Sequence, residues 1–223
     1  MSLTVSPHEK FTNKHNPLII PGPAGDLEAV ILPPAQEQAK IVVIICHPHP
    51  LYGGTMDNKV VTTAGRAFYD LGVWHIRFNF RGIGVSQGVY DQGHGEVQDL
   101  AAILAWTKKQ FPDYQLWLAG FSFGAYIAMQ GAVNDPTIKQ LITIAPAVNH
   151  FDFQEAAKVH CPWLLLMGEA DELVPFEQVQ QWVKELPRPI TTIYFPGVGH
   201  FFHGHLVALR EQLKASLNDV MKA

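Results

Sequence analysis

The chain has 223 residues, 48% of them hydrophobic, with 16 Lys and Arg against 20 Asp and Glu and a formal net charge of -4. A mildly acidic balance with no basic stripe gives no footing for a nucleic-acid backbone, and no apolar run reaches the roughly 20 residues that a membrane-spanning helix needs. Two cysteines cannot build a disulfide framework; Cys46 and Cys161 read as buried structural thiols rather than a redox pair. Length and apolar content fit a single domain over residues 1–223, with 1–16 as an N-terminal extension. Residues 1–10 lack a positively charged start followed by an apolar core, so no secretory signal is expected and the expected location is cytoplasmic.

In chain order, residues 18–21 and 27–32 read as an antiparallel hairpin around the turn-forming Gly22-Pro-Ala-Gly25-Asp26. Strands follow at 41–46, 73–78, 115–119, 140–144, 163–167 and 191–195. Helical patterns lie between them near 58–71, 96–110, 123–133, 176–186 and 206–221. The near-continuous apolar runs Ile41-Val-Val-Ile-Ile45 and Trp163-Leu-Leu-Leu-Met167 suit strands covered on both faces. This alternation predicts an α/β fold, a mainly parallel sheet with helices on both faces. Residues 145–162 separate two strands with room for only a short helix near 153–158. A large cap domain is therefore not expected, and the site is expected to be open.

The strand-like run Leu116-Trp-Leu-Ala passes through Gly120-Phe-Ser122-Phe-Gly124 into the helical pattern that Asn134-Asp135-Pro136 ends. Such a strand-to-helix turn lifts a serine hydroxyl clear of the sheet, and the two glycines lack the side chains that would collide there. A serine hydroxyl is a weak nucleophile and needs a base and a group to orient that base. Asp171 follows the strand at 163–167 and His200 follows the strand at 191–195. Both therefore fall at the carboxyl edge of the sheet, where ligands of open α/β sheets gather. Glu172 and Glu169 are the rivals of Asp171, and His203 and His205 those of His200. A metal site formed by these histidines with His47 and His49 is the weaker reading, since no acid or cysteine stands at metal spacing among them. Neither a metal nor a cofactor is expected.

A developing oxyanion needs hydrogen-bond donors. Phe123, directly after Ser122, offers a backbone N–H at the start of a helix. The loop His47-Pro48-His49-Pro50-Leu51-Tyr52-Gly53-Gly54 should give the second. Its prolines have no N–H, which leaves His49 as first choice and Leu51 as runner-up. Tyr52, Phe121, Phe123, Phe201 and Phe202 are candidates for an apolar substrate pocket.

Taken together, His47-Pro-His-Pro-Leu-Tyr-Gly-Gly-Thr-Met-Asp-Asn58, Arg77-Phe-Asn-Phe-Arg81-Gly-Ile-Gly84-Val-Ser86, the Ser122 elbow, Gly168-Glu-Ala-Asp171 and Gly199-His200-Phe-Phe-His-Gly204 resemble the α/β-hydrolase superfamily. The likeness is to its small, lid-poor, dienelactone-hydrolase-like serine hydrolases, and it runs from about residue 18 onward. The resemblance implies an α/β-hydrolase fold with a sheet of seven to eight strands and a Ser122-His200-Asp171 triad. It also puts Arg81 to Gly84 and Ser86 near the site but outside the chemistry. His47-Pro48 departs from the more usual His-Gly opening of the oxyanion loop. A serine where dienelactone hydrolases proper carry cysteine argues against transferring their particular substrate. The expected function is hydrolysis of carboxylic esters, with thioesters second, of small to medium acyl groups through an acyl-enzyme. A peptidase or perhydrolase using the same triad, or a non-catalytic binding protein on this fold, are the alternatives. The expected partner is a small-molecule ester, with no nucleic acid and no membrane. A homodimer through an exposed apolar edge stays open.

Overall fold

Backbone inside an apolar core must hydrogen-bond to itself, and runs such as 41–46 do so by becoming central strands. The computed structural model of the protein describes residues 6–12 and 15–221. It contains β1 (Asn16–Gly22), β2 (Gly25–Leu32), β3 (Ile41–Cys46), β4 (Trp74–Phe78), β5 (Gln115–Phe121), β6 (Ile138–Ile144), β7 (Trp163–Gly168) and β8 (Thr191–Phe195). They form one sheet in the order β1-β2-β4-β3-β5-β6-β7-β8. The β1/β2 hairpin is antiparallel, β2 runs antiparallel to β4, and every remaining neighbour pair is parallel. All residues of β3, β4 and β7 are buried.

The helices are α1 (Pro7–Lys10), α2 (Lys59–Asp70), α3 (His94–Gln110), α4 (Phe123–Asn134), α5 (Phe176–Glu185) and α6 (Leu206–Val220). Strand alternation divides the core between the two sheet faces. Val42, Ile44 and Leu118 pack with Leu100 and Ile103 of α3 and Ile127 of α4. Val43, Ile45, Trp117 and Leu165 pack with Val61 and Phe68 of α2 and Leu209 and Leu213 of α6. This is the α/β-hydrolase fold, and the connection after β6 carries only a 3₁₀ turn, Gln154–Lys158, in place of a cap domain. Among the described residues no helix is long and apolar enough to cross a membrane.

Every predicted strand and every predicted helix except the short one at 153–158 forms, with ends displaced by at most two residues. β6 starts at Ile138 because Ile138 pairs with Leu116 ahead of a register shift at Leu116/Trp117. The segment expected to be a short helix at 153–158 is 3₁₀ rather than α. Of the predicted 1–16 extension, residues 1–5 and 13–14 lie outside the described residues. The part between them folds onto the core. Ser6 and Glu9 form a reciprocal capping box for α1, and buried Phe11 stacks on Phe111 at 6.2 Å with Trp74 and Trp106 beside it. Cys46 and Cys161 are free thiols, and burial pushes both up, Cys161 to about 11.

Candidate active site

β5 and α4 meet at Ser122, whose backbone sits at φ 55, ψ -116. Few non-glycine residues adopt positive φ, and one that does is held there by its surroundings. A Cβ on Gly120 would lie 2.0 Å from the Gly124 carbonyl oxygen, and one on Gly124 would lie 2.2 Å from that of Cys46. Only glycine fits at either place. The Ser122 N–H donates to the Ile144 carbonyl at 2.9 Å, and its own carbonyl accepts from the Ala125 N–H at 3.0 Å. The turn is thus tied to β6 on one side and to α4 on the other.

His200, on the loop after β8, brings Nε2 to 3.0 Å from Ser122 Oγ and Nδ1 to 2.7 Å from Asp171 Oδ2. A carboxylate only accepts, so Nδ1 carries the imidazole proton and Nε2 faces the serine hydroxyl with its lone pair. Asp171 Oδ1 accepts from the N–H groups of Leu173 at 2.9 Å and Val174 at 2.8 Å, which fixes the carboxylate in its own loop. The structure therefore brings together Ser122, His200 and Asp171. Glu172 sits elsewhere in the arrangement: its Oε2 accepts from the His200 backbone N–H at 3.0 Å and braces the loop rather than the ring. The Glu169 N–H pairs with the Phe195 carbonyl, and His203 and His205 are exposed.

The loop after β3 is fastened by His47. This fully buried ring accepts from the Phe80 N–H through Nε2 at 3.0 Å, so Nδ1 holds the proton and donates to the Pro48 carbonyl at 2.7 Å. Burial pushes His47 down to about 4, which keeps it neutral. Gly54 allows the loop to fold back, since a Cβ there would lie 2.0 Å from the Pro48 oxygen. Of the two expected second donors, Leu51 is engaged elsewhere: its N–H donates to His49 Nδ1 at 3.2 Å, closing a 3₁₀ turn over Pro50–Tyr52. Among the described residues the His49 N–H has no acceptor. The Phe123 N–H, first in α4, is one of the orphan donors at a helix amino end. Among the described residues no three His, Cys, Asp or Glu side chains form a group that could hold a metal ion.

Ser122, His200, His49 and Phe123 line a cleft of about 850 Å³ that opens at the carboxyl edge of the parallel strands. Tyr52 and Phe201 line it as well. Phe121 and Phe202, expected in the pocket, are core residues instead. Phe121 shares a sheet face with Trp117 and Ala119 and supports the His200 ring at 5.1 Å. Phe202, at φ 53, turns inward against Phe195 at 5.3 Å. Tyr90, Tyr126, His150, Phe151 and Leu173 also line the cleft, none of them expected there from the sequence. Tyr126 had a signal, since it follows Phe123 by three positions on α4 and so shares its face; the others sit on loops, where no periodicity applies. The segment Arg81 to Ser86 stays behind the cleft. Arg81 forks onto buried Asp99 at 2.8 to 3.2 Å, and Ser86 Oγ accepts from the Glu28 N–H while donating to the Asn79 carbonyl.

The model of the dienelactone hydrolase family matches residues 85–217. An uncharacterized protein of Rickettsia prowazekii is 37% identical over 90% of this chain and 86% of its own. Among solved structures, an alpha-beta serine hydrolase homologue from Coxiella burnetii is 47% identical, with a TM-score of 0.88 over 91% of this chain and 97% of that one. A serine hydrolase without lid from Xanthomonas campestris is 39% identical, with a TM-score of 0.90 over 96% of this chain and 98% of that one.

Proposed function

Since the chain belongs to the dienelactone hydrolase family and is a hydrolase, we propose that it cleaves carboxylic esters of small to medium acyl groups, with thioesters as a second class, using Ser122 as nucleophile. The observation that carries this reading is the unbroken path from the Asp171 carboxylate through His200 to Ser122 Oγ, at 2.7 and 3.0 Å, on the floor of an open cleft. Ser122 Oγ attacks the acyl carbon while its proton passes to His200 Nε2, and Asp171 holds the ring and stabilises the imidazolium. The N–H groups of Phe123 and His49 receive the developing oxyanion. Collapse of the tetrahedral species expels the alcohol, which takes the proton from His200 and leaves an acyl-enzyme. A water molecule, deprotonated by the same Nε2, releases the acid and restores Ser122. The lack of a cap domain favours small to medium acyl groups, which need no enclosed tunnel.

Hydrolysis of p-nitrophenyl acetate, butyrate and octanoate by wild type and by Ser122→Ala tests the reading. Wild type should turn over the shorter esters, and Ser122→Ala should fall by at least about 10³-fold. Wild-type rates equal to buffer, or a Ser122→Ala variant as active as wild type, would end it.

A further inference from the structure

One wall of the cleft is built from rings. His49 is at its centre, with ring centroids 4.7 Å from Tyr52, 4.9 Å from Tyr90, 5.2 Å from Phe123 and 6.0 Å from Phe151. Tyr126 extends the wall by stacking on Phe151 at 5.2 Å. No Lys or Arg is among the described residues that line the cleft, and Asp152 is the one carboxylate there. Such a surface offers faces and edges to a planar ring and gives a substrate anion no counter-charge.

The polar atoms of this wall are oriented. The Leu51 N–H donates to His49 Nδ1, so the imidazole proton is on Nε2, which donates to Tyr90 Oη at 3.0 Å. Burial, and then the nearby His150, lower the His49 pKa and favour the neutral ring. Tyr90 Oη has therefore accepted a hydrogen bond, and its own O–H has no acceptor among the described residues. The segment carrying Tyr90 is fixed from beneath. Glu96, fully buried, accepts from the N–H groups of Asp91 at 2.9 Å and Gly93 at 2.7 Å, holding Gln92 at φ 53 and Gly93 at φ 98. A buried carboxylate that fixes two loop N–H groups makes Tyr90 part of a pre-organised wall rather than of a loose surface loop.

We propose that this wall is the subsite for an uncharged aryl group of the ester, with the Tyr90 hydroxyl, aimed by His49, as its hydrogen-bond anchor and specificity determinant. The proposal rests on the reading of Ser122 as an esterase nucleophile. His49 joins the two sites, since it supplies one of the N–H groups assigned to the oxyanion and the central ring of the wall, which the fully buried Phe123 ring backs at 5.2 Å. An aryl group one or two bonds from the ester would therefore lie against rings while the carbonyl meets the serine.

Two matched ester pairs test it on either side of the ester: methyl phenylacetate against methyl cyclohexylacetate, and benzyl acetate against cyclohexylmethyl acetate. In at least one pair kcat/KM should favour the aryl member by about tenfold, and a para-carboxylate on the ring should remove that advantage. Tyr90→Phe should lose about five- to tenfold more on a para-methoxy aryl ester than on the unsubstituted one. Titration calorimetry with 4-methoxyphenylacetamide and cyclohexylacetamide reads the wall without any turnover, and the aryl amide should bind about tenfold tighter. Equal binding of the two amides, or aryl and cyclohexyl esters hydrolysed within about twofold of each other in both pairs, would overturn the proposal. Preferential aryl binding by a protein that hydrolyses none of the four esters would sustain the subsite and sink the esterase reading instead.

Discussion

Asp171 uses both of its carboxylate oxygens, one for the His200 ring and one for two N–H groups of its own loop. The second set of bonds keeps the first in place, so the tautomer of His200 is fixed by a residue that cannot itself swing away. Asp171→Asn is the sharpest test at this scale. An amide can turn its NH₂ toward Nδ1 and drive the imidazole proton onto Nε2, where it blocks proton uptake from Ser122. We expect kcat to fall by about 10³- to 10⁴-fold with an unchanged urea midpoint, by steady-state kinetics and denaturation on one preparation. A loss under tenfold would show that Asp171 is not the group that orients the base. Chain order and the loops after two strands made Ser122, Asp171 and His200 legible in the sequence. The free donor in the loop after β3 was not legible to the same degree. His49 and Leu51 differ only because the Leu51 N–H is captured by the His49 side chain, a local turn that no spacing rule announces.

Among the elements, the β5–Ser122–α4 unit carries the strain. Gly120 and Gly124 let three backbone segments approach where any Cβ would collide, and Gly124 meets the carbonyls of Cys46 and His47 at the head of the loop after β3. Gly124→Ala must therefore move the elbow and that loop together. It should destabilise the fold by about 2–3 kcal/mol in urea denaturation and depress hydrolytic activity beyond what the stability loss explains. Strands and helices were readable because the 2.0 and 3.6 periodicities and the Gly and Pro punctuation agree with the tertiary packing. Two aromatic side chains expected in the cleft face the core instead, Phe121 by strand parity and Phe202 by its backbone conformation. Phe121 alternates with Ala119 and Trp117 and so belongs to the covered face of the sheet, a parity the strand run itself contains. Phe202 turns inward only because its backbone takes a positive φ. The short helix α1 offers no periodicity at four residues, and it is held by its cap and by Phe11.

At the scale of the whole molecule, burial of two histidines makes stability depend on pH. His47 is pushed down to about 4 by burial, and His75 to about 3 by burial first and the charge of Arg77 second. Both are neutral in the folded chain, while in the unfolded chain each protonates near its ordinary value of about 6.5. The unfolded state then binds more protons below that value, so stability is full above about pH 6.5 and falls toward pH 4, by about 1 kcal/mol per pH unit for each ring. Urea midpoints at pH 7.5, 6 and 5 should decline in that order, and His75→Leu should roughly halve the decline; a flat profile would contradict the neutral, buried state of both rings. The same packing leaves the cleft uncapped above Ser122, the residue proposed to become covalently acylated. Intact-mass analysis and peptide mapping after reaction with a fluorophosphonate test that role most directly. One adduct per chain is expected, located on Ser122 and absent from Ser122→Ala. An adduct on any other residue, or no adduct from a protein that still hydrolyses esters, would contradict it.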